Sequence, residues 1–329
     1  MNTKKFIYLL IASIGILATS LILYFVVGPT DSNDPNKNKS DELKKYEALY
    51  NLTLVDDEED YYVINGLTMN NQRGENSSHV IAFPSTIDNI KVKKIISTIS
   101  FTDYKYIKQI IIPEYVEYIG TNEKSSNLCD EIFISCSNLE TVEVDSNNLY
   151  FSSVDGILYS KDQTKLLLCP RNYVSIINSN KIIIKDGVTE IGSYSFYSNS
   201  KIVELTLNEE LEIINTCAFN NCTLLNKINF SSISKLHTIN NGAFNNCDQL
   251  VRVSIPSSVT KLGATAFGGC SNLKELYIPS SVVSFGNELI GGSTNCVITT
   301  SSDNLDTLKE ICVLLGIKNK DKDSRIQAK

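Results

Sequence analysis

The sequence predicts a repeat solenoid, a chain wound into short coils that stack one on the next. Three observations predict it. Segments centred on a phenylalanine or its equivalent recur with marker residues three, six and eleven positions on. The last four phenylalanines, Phe196, Phe219, Phe244 and Phe267, are separated by 23, 25 and 23 residues. Within each segment the apolar positions form two short ledges rather than one helical stripe. A period in the low twenties marks a solenoid whose units are too small to bury an apolar face alone, so that neighbouring coils must supply the core.

The markers define the units. Phe267, Cys270, Leu273 and Ile278 are matched by Phe244, Cys247, Leu250 and Ile255, and by Phe219, Cys222, Leu225 and Phe230. Earlier copies are Phe196, Asn199, Ile202 and Leu207; Phe133, Cys136, Leu139 and Val144; and Phe101, Tyr104, Ile107 and Ile112. A last step of 23 lands on Ile290. In each unit the LxxLxI run, such as Leu273, Leu276 and Ile278, predicts a short strand of a parallel sheet. Pro113, Pro256 and Pro279 close such strands where no ladder N–H is needed. The second ledge reads VxxI/LG, as in Val188, Ile191, Gly192 and Val259, Leu262, Gly263. Its glycine is expected to hold a backbone conformation closed to other residues. Phe196, Phe219, Phe244 and Phe267, with Cys222, Cys247 and Cys270, are the expected interior columns.

The pattern IPSSVTKLGATAFGGCSNLKELYIP, residues 255 to 279, closely resembles the BspA-like, or treponemal-type, leucine-rich repeats of bacterial and protozoan surface proteins. The resemblance spans roughly residues 80 to 290. It implies a right-handed leucine-rich coil over residues 46–300, with an opening unit at 46–95 that contains VIAFPSTIDNIKVKKI. It also implies a β-hairpin insert at 145–175, turning at Asp155-Gly156 and near Lys161-Asp162. The first repeat departs from the pattern, reading ISFTDY at 99–104, and extra residues around 121–129 lengthen the second coil.

The flanks follow in order. Residues 6–27 carry no charge and follow Lys4 and Lys5. As a helix they would run about 33 Å, enough for a bilayer core, so 1–27 is expected to be a retained transmembrane signal anchor. A cleaved signal peptide, with Ala18-Thr19-Ser20 as its small-residue site, is the alternative. Either way the lysines before the segment and Asp31 and Asp34 after it place the repeats outside the cell. Residues 28–45 are polar and aperiodic, a flexible stalk. Leu305, Leu308, Ile311, Cys312 and Leu315 sit at helical spacing and predict a capping helix over 301–317, started by Ser302 or Asp303. Residues 318–329 read as a frayed tail.

Chemistry is sparse. The formal charge of −7 becomes −9 outside the membrane once Lys4 and Lys5 are set aside, which argues against nucleic acid. Four of nine cysteines, Cys136, Cys222, Cys247 and Cys270, share one column and read as buried thiols, with a Cys247–Cys270 bridge as the alternative. The acidic run at 56–60 lacks the ligand spacing and glycine of a calcium loop. His79 and His237, the two histidines, come with no nucleophile motif, zinc motif or phosphate loop. No enzyme, metal or cofactor is expected. NxS/T sequons fall at Asn38, Asn51, Asn76, Asn221 and Asn229.

The outward residues of the strands form the candidate binding face. Lys227, Arg252, Lys274, Glu275 and Tyr277 are its leading positions, since Tyr and Arg are enriched where proteins bind; a merely solvated face is the competing reading. The expected function is protein binding at the cell surface. Adhesion to host or neighbouring-cell components is implied by the resemblance, and a self-assembling envelope protein without a foreign ligand is the alternative.

Overall fold

The computed structural model describes residues 39–67, 79–96, 106–121, 131–173, 179–230, 235–318 and 321–329. The expected membrane segment and most of the stalk, together with Phe101, Tyr104 and Cys129, lie outside them. Among the described residues no helix is long and apolar enough to cross a membrane.

From Lys39 onward the chain is a β-solenoid of about eight turns. Its opening corrects the stalk boundary. Asp41–Glu47 is a helix because the Ser40 hydroxyl accepts the Leu43 N–H at 2.9 Å, with acids in the first turn and lysines in the last. Leu43, Tyr46 and Leu49 then pack on the first core cluster, so apolar contact extends the folded part into the polar segment. Tyr50–Val55 pairs antiparallel with Tyr61–Leu67, which pairs parallel with Ile90–Ile96, and that strand with Tyr118–Gly120.

Each later coil contributes two short strands, not one. The LxxLxI strands form an outer ribbon and the VxxI/LG strands a second sheet. In the second sheet Phe151–Val154, Ile157–Ser160 and Lys165–Leu168 run antiparallel, turning at Asp155 and Gly156 with φ of 52° and 84°. The last of these pairs parallel with Glu190–Ile191, and the sheet continues coil by coil to Ser284–Phe285. Among the described residues the ribbon falls into three pieces. These are Val80–Ala82, Gln109–Ile112 and Thr141–Val144; then Lys181–Ile183, Glu204–Thr206 and Lys227–Asn229; then Arg252–Ser254, Glu275–Tyr277, Val297–Thr300 and Ile326–Ala328.

Stacking columns fill the space between the sheets. Phe196, Phe219, Phe244 and Phe267 are at most 1% exposed and stack face to face, with centroids 4.7, 5.2 and 5.4 Å apart. That is close to the spacing of paired strands, so one ring per coil matches the ladder. Beside them Cys222, Cys247 and Cys270 donate their S–H to the carbonyls of Phe196, Phe219 and Phe244 at 3.2 to 3.3 Å. Ser293 donates likewise to Phe267 at 2.9 Å. Cys136, Cys169, Cys217, Cys222, Cys247, Cys270 and Cys296 are free thiols. Burial pushes the thiols of Cys136, Cys222 and Cys270 up to about 12 and that of Cys247 well up.

The glycines of the second ledge correct an expectation. Gly192, Gly263 and Gly286 do not occupy the left-handed region; what they meet is the neighbouring coil. A Cβ on Gly263 would lie 2.3 Å from the Asn241 nitrogen, and one on Gly286 2.0 Å from the Ala264 nitrogen. The left-handed positions come two residues later in the turn, at Tyr194, Cys217, Gly242, Thr265 and Glu288.

The C-terminal end departs twice from the expected form. The helix is a short Ser302–Asn304 3₁₀ turn followed by Leu305–Glu310, and neither Ser302 nor Asp303 caps it. Past Glu310 the segment continues as turns, with Cys312 donating to Lys309, Ile317 to Cys312 and Gly316 at a φ of 86°, while the carbonyls of Leu314 and Leu315 accept N–H groups of the last coil, from Glu288 and Ile290. Leu308, Cys312, Leu315 and Ile317 are buried against that coil. The expected frayed tail instead holds Ile326–Ala328, the last ribbon strand. Ile326 is buried there, and Arg325 donates to the carbonyls of Cys296 and Ser293 at 2.9 Å.

Candidate functional site: the outward ribbon and its cleft

Alternation along each ribbon strand sets the site. The central residue points inward and its neighbours outward. Leu205, Val253 and Leu276 are accordingly buried, while Lys227, Arg252 and Ser254 are exposed and Glu204, Glu275 and Tyr277 half-buried. Successive strands then stack outward side chains of opposite charge. Glu204 lies 2.9 Å from Lys181 and 2.8 Å from Lys227, and accepts from Asn229 at 3.0 Å. The bonds from Lys227, Lys181 and Asn229 hold its carboxyl down to about 2. Glu275 plays the same part between Arg252, 3.7 Å away, and Lys329, 2.6 Å away, with Thr299 donating at 3.1 Å. Its carboxyl is held low, mainly by the Lys329 bond.

The ribbon is open between Lys227–Asn229 and Arg252–Ser254. Among the described residues no ladder bond joins these two strands, although the second sheet continues past them through Ile213, Thr238 and Lys261. The coil between them is the one that measures 25 residues rather than 23. A cleft of about 490 Å³ opens there, within the range of ligand clefts, roughly 300–1,000 Å³. Ile228, Phe230, Val253, Pro256 and Tyr277 make its apolar wall, and Arg252, Ser254, Glu275 and Lys329 its polar rim.

Arg252, Glu275 and Tyr277 thus come together at the cleft, with Lys227 on its far strand next to Ile228. Lys274 stands apart, exposed and just ahead of its strand, and does not line the cleft. The phenylalanine and cysteine columns lie in the interior. Sequence reading missed Ile228, Phe230, Pro256 and Lys329 as cleft residues. The 25-residue interval was the available signal for the first three; Lys329 had none, because its strand carries no repeat marker. A second cleft of about 510 Å³ adjoins Lys181–Ile183, walled by Ile157, Tyr159 and Tyr173, with Ile183 72% exposed.

The other candidates take structural places. Glu59 of the acidic run lies 3.5 Å from Lys91 and 3.7 Å from Lys93. Among the described residues no group of three His, Cys, Asp or Glu side chains is placed to hold a metal. His237 is exposed beside Thr238, and the His79 carbonyl accepts the N–H groups of Lys108 and Gln109.

Residues 170–297 match, in six copies, the family described as the BspA type leucine rich repeat region. Two solved structures share the fold. A leucine-rich repeat protein from Eubacterium ventriosum is 19% identical, with a TM-score of 0.54, over 68% of this chain and 66% of its own. A leucine rich cell surface protein from Faecalibacterium prausnitzii is 21% identical, with a TM-score of 0.53, over 73% of this chain and 63% of its own. The chain therefore spans a little under two thirds of the length of each. No curated protein matches it.

Proposed function

Residues 170–297 of this chain are BspA-type leucine-rich repeats, and from that premise we propose that it is a membrane-tethered surface protein whose ribbon face binds other proteins. The observation that carries the reading is the cleft at the open step of the ribbon. It places an arginine, a tyrosine and an apolar wall on a face otherwise occupied by paired charges. Arg and Tyr beside an apolar pocket are the usual anchors of protein recognition. The cell-surface description of the Faecalibacterium neighbour and the uncharged run at 6–27 support an anchored chain with the repeats outside. Attachment to host or neighbouring cells is the role this arrangement serves.

The test displays the full chain on a heterologous bacterium. Protease added to intact cells should remove the repeats and leave a short membrane-bound stub. Adherence to cell monolayers should fall at least tenfold in the Lys227→Glu, Arg252→Glu double variant, which circular dichroism should show still folded despite the lost pairs with Glu204 and Glu275. Repeats that stay protected until lysis would overturn the topology. Adherence that ignores the ribbon substitutions, with self-association in sedimentation, would favour an envelope scaffold instead.

A further inference from the structure

We propose that the cleft receives an extended segment of the partner protein, which pairs with the open edge of Arg252–Ser254 and sets a carboxylate between Lys227 and Arg252. This rests on the protein-binding reading above and specifies the chemistry of the partner.

The backbone supplies the first argument. Residues of a strand in a sheet bond alternately to the neighbours on either side. Glu275 donates to the Val251 carbonyl at 3.3 Å and Ile255 to that of Tyr277 at 3.0 Å. The peptide groups of Arg252 and Ser254 therefore face the other way, into the cleft. On the opposite wall Lys227 donates to Val203 at 3.3 Å, which turns the groups of Ile228 toward the same space. An open strand edge is a template on which another chain can add a strand.

Charge supplies the second. Three paired steps of the ribbon, Lys181 with Glu204, Glu204 with Lys227 and Arg252 with Glu275, each join opposite signs. Among the described residues, two cations stand at neighbouring steps only across the cleft, Lys227 and Arg252. The missing member of the alternation is an acid, held as Glu204 is held by its two lysines. The next residue of the segment would turn inward to the apolar wall of Ile228 and Val253, and the one after it outward beside Asn229 and Ser254. The partner thus presents an acidic, apolar, polar triplet in extended form. The chain's own Glu204, Leu205 and Thr206 have that order one strand away.

The probe is the heptapeptide IVELTLN, residues 202–208 of the chain itself, with glycine-serine spacers. It is titrated into the 329-residue chain in detergent micelles and followed by fluorescence anisotropy and hydrogen exchange. At saturation, exchange at the Arg252 and Ser254 amides should slow at least tenfold. A control peptide with lysine in place of glutamate should bind at least tenfold more weakly, and the Lys227→Glu, Arg252→Glu chain should reverse that preference, which a misfolded chain would not do. Absence of binding, binding without slowed exchange, or equal binding of the two peptides overturns the proposal. So does a dimer formed through Arg252 and unmoved by the peptide, which would make a second copy the occupant. If the peptide fails while ribbon substitutions still abolish adherence, strand pairing falls and the protein-binding reading stands; if adherence is also unchanged, both fall.

Discussion

Replacing Phe244 with alanine tests the register of the whole solenoid. The side chain is fully buried, and its ring lies 5.2 Å from Phe219 at an interplanar angle of 2° and 5.4 Å from Phe267 at 10°. Phe to Ala in a core costs about 3–5 kcal/mol. A stacked aromatic partner adds ~0.5–1.5 kcal/mol beyond burial, so a ring with two partners belongs at the upper end, near ~5 kcal/mol. Phe196 is 1% exposed, and among the described residues only Phe219 stacks on it, at 4.7 Å. Phe196→Ala should therefore cost about 1 kcal/mol less than Phe244→Ala. Urea unfolding followed by circular dichroism measures both, with the slope fitted for each variant, because coils can uncouple in a repeat array. A loss below about 2 kcal/mol for Phe244→Ala, or a larger loss for Phe196→Ala, would refute the column as the element that couples the coils.

Four further outcomes are expected. Gly263→Ala should destabilise by roughly 1–3 kcal/mol through its contact with the Asn241 backbone. Gly242→Asn should change stability by under about 1 kcal/mol, because Tyr194, Cys217 and Thr265 already hold that left-handed position in other coils; paired thermal melts compare the two. The thiols of Cys136, Cys222 and Cys270 are raised to about 12 by burial, so the folded chain keeps protons that the unfolded chain releases from about pH 9 upward. Stability should be full below pH 9 and decline toward pH 12, by up to ~1.4 kcal/mol per pH unit for each thiol. Cys270→Ser should flatten the decline in urea midpoints between pH 8 and 10.5. On the acid side, Glu204 is held down to about 2 from 4.5, so its contribution is present above pH 4.5 and lost as pH falls toward 2. Glu204→Gln should shrink the drop in melting temperature over that window, and an unchanged drop would show that the ladder does not stabilise the fold.

Periodicity made the interior legible. Residues at Phe196, Cys222 or Leu276 recur because each coil must present the same shape to the next, and recurrence shows in one sequence without any alignment. The reason for a recurring residue was less legible. Gly263 looks like a turn glycine, yet its constraint is the neighbouring backbone at Asn241, 22 residues away in sequence. Local pattern cannot distinguish a strained φ from a close approach. The ends were misread for a related cause. Leu43 and Tyr46 in a polar stretch, and Ile326 in a charged one, are single apolar residues that find a partner only after the solenoid forms. The paired Arg252, Glu275 and Lys329 illustrate the limit, since a salt bridge across 54 residues leaves no periodic trace.

Where the cleft lies follows from which layers depend on coil length. The phenylalanine stack crosses the 25-residue coil at 5.2 Å, Cys247 still bonds the Phe219 carbonyl, and the second sheet still pairs Ile213 with Thr238. Among the described residues, the step that differs is therefore on the ribbon side. Among the described residues, ladder bonds between Lys227–Asn229 and Arg252–Ser254 are what is forgone, and those groups face a cleft where water or a partner can satisfy them. Closing the step would set Lys227 against Arg252, a like-charge contact at neighbouring positions that disfavours pairing. The same two side chains that resist closure supply the attraction for an incoming acid, so a partner strand that carries one is stabilised where the chain's own strands are not.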